Sequence, residues 1–200
     1  MRLNPEATFD TLFVAQRLQI GCATFSAPQL HLVGYLACLL SLYRRQPVTD
    51  WGYPFIGTEL GAPFSPEIDT AVKELTERGF LSGSRERLQM TGVAEKQLAE
   101  LRQLALNQER AECLQAACAS TSVFSIGMVG SALSQEPELR RAQALPATRL
   151  LLEESAQVQL YTQFDALRQA LSQRTNDLRL PAVVWLNALY RSSEPSAVVQ

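Results

Sequence analysis

The chain has 200 residues, and 46% of them are hydrophobic, enough to fill the core of one domain or of one domain with a helical extension. Its 18 basic and 20 acidic residues leave a net charge of −2. That excludes a nucleic-acid binder held by a general basic excess, so any DNA contact has to be local. The start, MRLNPEATFD, carries acids where a secretory signal needs an apolar run. The most apolar stretch, residues 30–43, is shorter than the roughly 20 residues of a membrane span. A cytoplasmic protein with no membrane contact is expected.

Residues 6–20 place Phe9, Leu12, Phe13 and Leu18 near helical spacing and predict a first amphipathic helix. Ser26 or Ala27 then precedes Pro28, a good opening residue for a second helix over 28–45. Leucines, Val33 and Tyr43 go nearly all round it, which predicts a central helix buried on most sides. Arg44 and Arg45 fall in its last turn, where cations favour the helix dipole. His31, the sole histidine, lies in its first turn and is expected to be packed or exposed rather than catalytic.

Residues 46–64 hold three prolines, three glycines and four aromatics. A structured loop is expected, its Trp51, Tyr53, Phe55 and Phe64 capping the core. Ser65 and Pro66 then open a helix, with Glu67 and Asp69 in its first turn. Ile68, Ala71, Val72 and Leu75 form its buried stripe. Gly79 stops it. Phe80 and Leu81 begin a strand, GSRER turns, and Leu88 and Met90 return. Thr91 caps a helix running to about Leu106, continued or broken near Asn107. A short apolar helix is expected over 122–134, with Gly127 and Gly130 serving close packing. Another piece starts at Pro137. A long helix over 148–172 and a last one after Pro181 complete the chain, ahead of a disordered tail over 192–200.

The candidate chemistry is sparse. Cys22, Cys38, Cys113 and Cys118 form no CxxC pair, and one histidine cannot complete a Cys/His zinc site. Buried or partly buried thiols of a reducing compartment are expected. No nucleophile elbow, metal motif or cofactor fingerprint occurs, and adjacent acids such as Glu153 and Glu154 point apart on a helix. An enzyme is the least supported class, and no cofactor is expected.

The layout over 65–92 is that of the second half of a winged helix. In a DNA reader the helix over 66–78 would enter the major groove. Here it offers Glu67, Asp69, Glu74 and Glu77 against Lys73 and Arg78. The stretch 65–92 holds four bases and five acids. Arg85 and Arg87, in the wing around Glu86, are its candidate DNA contacts.

The run LHLVGYLACLLSLYRRQPVTDWGYPFIGTELGAPFSPEIDTAVKELTERGFLSGSRERLQMTG, followed by helices, resembles the small middle subunits of bacterial ABC three-component, Lamassu-type anti-phage defence systems. Those proteins are similar to the winged-helix accessory subunits of SMC complexes. The resemblance covers about residues 28–105 by layout and 120–190 by helical character. It implies a non-enzymatic subunit that binds an SMC/Rad50-like ATPase, regulates an effector protein, and meets DNA only through the complex. It offers no catalytic residues to carry over. The same layout is also similar to Panacea-type antitoxin domains, and both comparisons favour protein binding.

The expectation is therefore a mainly α protein. A winged-helix-like domain with a β-hairpin wing spans 1–106, and a helical bundle extends it over 107–191. Its expected work is that of an antiviral-defence adaptor. The alternative is a winged-helix transcription regulator contacting DNA through Arg85 and Arg87.

Overall fold

The structure, a computed structural model, describes residues 3–58, 61–144, 149–171 and 177–193. Among these the chain is mainly helical, with two small antiparallel sheets. The first helix, α1 (Pro5–Gly21), starts where the Asn4 side chain accepts from the Ala7 N–H at 2.8 Å. It turns Phe9, Leu12 and Phe13 inward. The second, α2 (Ala27–Tyr43), is capped at Ser26, whose N–H donates to the Gln29 side chain at 2.8 Å. Leu30, Val33, Leu36, Leu39, Leu40 and Leu42 are all buried, so α2 is the central helix its composition demands.

The end of α2 differs from expectation. Arg44 caps the helix, and Arg45 follows in the left-handed region at φ 63°. The Gln46 N–H reaches Ser41 O at 3.1 Å and the Arg45 N–H reaches Leu42 O at 2.8 Å. This is a Schellman closure with arginine where glycine is usual.

The following segment holds a 3-10 turn (Val48–Trp51) and two short strands, β1 (Ile56–Gly57) and β2 (Pro63–Phe64). Trp51, Tyr53 and Phe55 are buried and stack edgewise in series, with Phe55 meeting Tyr35 of α2 at 5.3 Å between ring centroids. The aromatics cap the core. β1 is the middle strand of a sheet whose other edge is β5 (Arg149–Leu150), with Ile56 opposite Leu150. That strand lies inside the span expected to be helix from 148; the helix α8 (Glu154–Ala170) begins later. Backbone pairing with β1, nearly half the chain away, takes Arg149 and Leu150 out of the helix.

Next come α3 (Pro66–Glu77), the hairpin β3 (Leu81–Ser84) and β4 (Arg87–Met90), and α4 (Gly92–Leu101). The helix from Gly92 stops at Leu101, short of Leu106. Asn107 sits in a 3-10 turn and donates its side-chain amide to Leu101 O at 2.8 Å, sealing the break. Beyond it α5 (Gln108–Val123) packs against α2 and α1. Ser122 and Val123 therefore close α5 rather than open the next helix. That helix, α6 (Ile126–Leu133), starts instead from Ser125, whose hydroxyl accepts from the Met128 N–H at 3.3 Å. Gly130 packs on Leu32, but a methyl group at Gly127 would meet nothing within 4 Å, so close packing does not account for that glycine.

α7 (Pro137–Ala144) begins at its expected proline. Buried Glu136 accepts from the Glu138 and Leu139 N–H groups at its start, and from the Tyr35 hydroxyl at 3.1 Å. Gly57 passes so close to α7 that an added methyl would lie 2.4 Å from the Ala142 methyl. The last helix, α9 (Arg179–Ser193), starts two residues before Pro181 and packs on α5 and α6. It takes in Ser192 and Ser193, which the tail expectation had included; residues 194–200 lie outside the described residues. One continuous set of buried side chains runs from Ala7 to Leu189, crossing the 106/107 position without interruption. No single helix among the described residues is long and apolar enough to cross a membrane.

Candidate functional site

Arg85 and Arg87, the candidate contacts read from sequence, lie on the α3–hairpin face. The Ser65 hydroxyl accepts from the Ile68 N–H at 3.5 Å and donates to Glu67 at 3.1 Å, fixing the start of α3. Ile68, Ala71, Val72 and Leu75 are buried, which turns the acids outward or half-outward. Arg78 answers Glu74 across one helical turn at 3.6 Å. Gly79 adopts φ 75° and ends the helix.

The hairpin then pairs Leu81 with Met90 and Ser84 with Arg87. Gly83 sits at φ 101°, and a methyl there would lie 2.1 Å from the Arg87 carbonyl oxygen, so the strand requires glycine. Arg85 and Glu86 form the tip. The hairpin is clipped to the chain before α2: Phe25 and Leu88 exchange both backbone hydrogen bonds, and the Ala27 N–H reaches Arg85 O at 2.8 Å.

The two sequence-predicted arginines have different surroundings. Arg85 turns back and bonds Asp69 on α3. This hydrogen bond raises its pKa and occupies its guanidinium inside the chain. Arg87 projects into solvent and makes no ion pair among the described residues. The structure brings Arg85 to an acid, not to a cationic cluster.

Next to the Asp69–Arg85 pair lies His31. It is buried, its Nδ1 accepts from the Ser65 N–H at 3.2 Å, and its ring meets Phe64 at 4.7 Å. Burial lowers its pKa to about 4, with Asp69 opposing and Arg85 adding to the shift. Because Nδ1 accepts, the single proton of the neutral ring sits on Nε2. The imidazole is thus a fixed acceptor that seats the start of α3.

Behind α3 opens a groove of about 710 Å³, lined by Pro5, Leu12, Leu75, Phe80 and Leu101, with Glu74 among its polar residues. No sequence signal joined these residues, because they come from three helices and a strand entrance. A second opening, about 1040 Å³, lies where Arg44, Arg45, Arg168 and Arg179 converge. Glu112 answers Arg44, Asp165 answers both Arg45 and Arg168, and Asp177 stands 4.0 Å from Arg179. This cleft is a cross-braced ion network.

Three cysteines are buried, and burial raises their thiol pKa values, that of Cys118 to about 12. Cys22 departs from expectation: it is exposed. No group of three or more His, Cys, Asp or Glu side chains able to hold a metal occurs among the described residues. No protein-family model, curated protein or solved structure matches the chain.

Proposed function

We propose that this chain is a non-catalytic adaptor whose α3–hairpin unit, a winged-helix-like module, docks another protein instead of reading DNA. One observation carries the reading: Arg85, one of the two arginines of the hairpin, is already held by Asp69 of the helix that would have to enter the groove. Phosphates approaching this face meet four acids, Glu67, Asp69, Glu74 and Glu77, against Lys73 and Arg78, and phosphate contact supplies most of the affinity of a DNA binder. The apolar groove behind α3 adds what a protein partner uses, a concave apolar surface beside charged side chains. The surface suits a partner with a basic rim and an apolar anchor. The partner class that the resemblance implies, an SMC-like ATPase acting with an effector in a defence complex, belongs to this proposal.

A mobility-shift titration with duplex DNA over a salt series tests it. The expected result is no retarded complex at physiological salt, for wild type and for Arg85→Glu/Arg87→Glu alike. Retardation that weakens steeply with salt and disappears in the double variant would establish the regulator reading instead.

A further inference from the structure

We propose that the groove between α1, α5, α6 and α9 docks an apolar segment of a partner protein that carries a carboxylate, received by Arg17 of its lining, with Arg102 adding positive charge nearby. The groove encloses about 760 Å³ and shares no residue with α3 or the hairpin tip. Leu18, Phe25, Ile126 and Val183 give it an apolar lining. Ile20 and Val123 stand at its rim 74% and 62% exposed, among the most exposed large apolar side chains described. Apolar side chains standing outside a cavity extend the contact beyond what a small molecule covers. They fit a protein segment laid along the groove.

The charge of the groove selects the segment. Among the described residues its lining includes Arg17 and Arg179 and no Asp or Glu, and the ion-pair partner of Arg179 there is Asp177, 4.0 Å away. Arg17 and Arg102 lie over the same Phe13 ring, 5.7 and 4.3 Å from its centroid, and Cys118 of the groove is close to both. Neither side chain forms an ion pair or hydrogen bond among the described residues, and the Nε of each is buried without a partner. Arg44, Arg45, Arg85, Arg110 and Arg168, by contrast, each hold a carboxylate. Burial, and then the charge of Arg17, lowers the pKa of Arg102. A carboxylate of the docked segment at Arg17 would supply the acid that this cation lacks and offset the positive charge felt by Arg102.

Fluorescence anisotropy with three labelled helical peptides tests the proposal. The peptides share one leucine-rich face and differ at one flanking position, Glu, Gln or Lys. The Glu peptide is expected to bind roughly tenfold more tightly than the Gln peptide, with the Lys peptide weakest. Arg17→Gln/Arg102→Gln brings the Glu peptide level with the Gln peptide. Ile20→Asp/Val123→Asp, changes at exposed positions, weakens all three while leaving the circular dichroism spectrum unchanged. Equal binding of the three peptides, or no binding, overturns the proposal. So does dodecanoate occupying the groove while no peptide does, or sedimentation showing that a second copy of the chain fills it. None of these outcomes alters the α3 face, so that reading stands or falls separately.

Discussion

Asp10 of α1 and Arg110 of α5, a hundred residues apart, form a buried two-point ion pair: Nε reaches one carboxylate oxygen at 2.5 Å and Nη2 the other at 2.6 Å. The same guanidinium donates to Trp51 O at 2.8 Å and lies 3.8 Å from the Trp51 ring centroid, while the Tyr53 hydroxyl bonds Asp10. One cation therefore fastens two helices and the aromatic loop. Burial opposes the charge on Arg110, but the adjacent carboxylate outweighs it and raises the pKa.

Removing one partner leaves the other charged and buried without compensation. Arg110→Met should cost about 3–5 kcal/mol in urea unfolding, and Asp10→Leu/Arg110→Met should recover most of that loss. A single-variant cost below about 1 kcal/mol would show that the pair is not the fastener described.

His31 predicts a pH effect of defined sign. Its folded pKa, about 4, lies below the ordinary 6.5, so the unfolded chain binds the proton more readily between those values. Its stability contribution is complete above about pH 6.5 and is lost as pH falls toward 4, by on the order of 3 kcal/mol. Asp10 and Glu136, whose pKa values burial raises, act in the opposite sense, so the raw profile mixes the contributions. The difference between wild type and His31→Asn, which retains an acceptor for the Ser65 N–H, isolates the histidine. A flat difference between pH 7 and pH 4.5 would refute its burial as a neutral ring.

The approach of β1 to α7 predicts a matched pair of variants. Gly57→Ala should destabilise by about 1–3 kcal/mol through overpacking against Ala142. Adding Ala142→Gly should restore part of it. Thermal melts of the two single variants and the double variant measure the coupling, and strictly additive effects would contradict the contact.

The same residues show what sequence can carry. Ser65, Pro66, Gly79 and Thr91 act within a few residues of themselves, so the α3–hairpin stretch is legible from sequence alone. The buried α2 followed from its leucines alone. What escaped depends on chain segments meeting at a distance. Nothing near Asp10 announces Arg110, nothing near Ile56 announces Leu150, and Arg149 reads as helix until a strand claims it. Between α5 and α6, Ser122 and Ser125 are equally good caps locally; Ser122 lies inside α5 and Ser125 caps α6. Arg85 and Arg87 are legible as hairpin residues, but the turn of Arg85 back to Asp69 is not. Arg17 and Arg102 gave no signal, because an arginine lacking an acid partner looks in sequence like any other.

The central claim is that the α3 face binds protein. Its most direct test is to purify the tagged chain from its native host, as wild type and as Glu74→Lys/Glu77→Lys, and to quantify what co-elutes. The account predicts that wild type carries a stoichiometric partner of the SMC-like ATPase class, and that the charge-reversed chain, equally folded, loses it. A wild-type chain that elutes alone, or that carries nucleic acid in place of a protein, would contradict it.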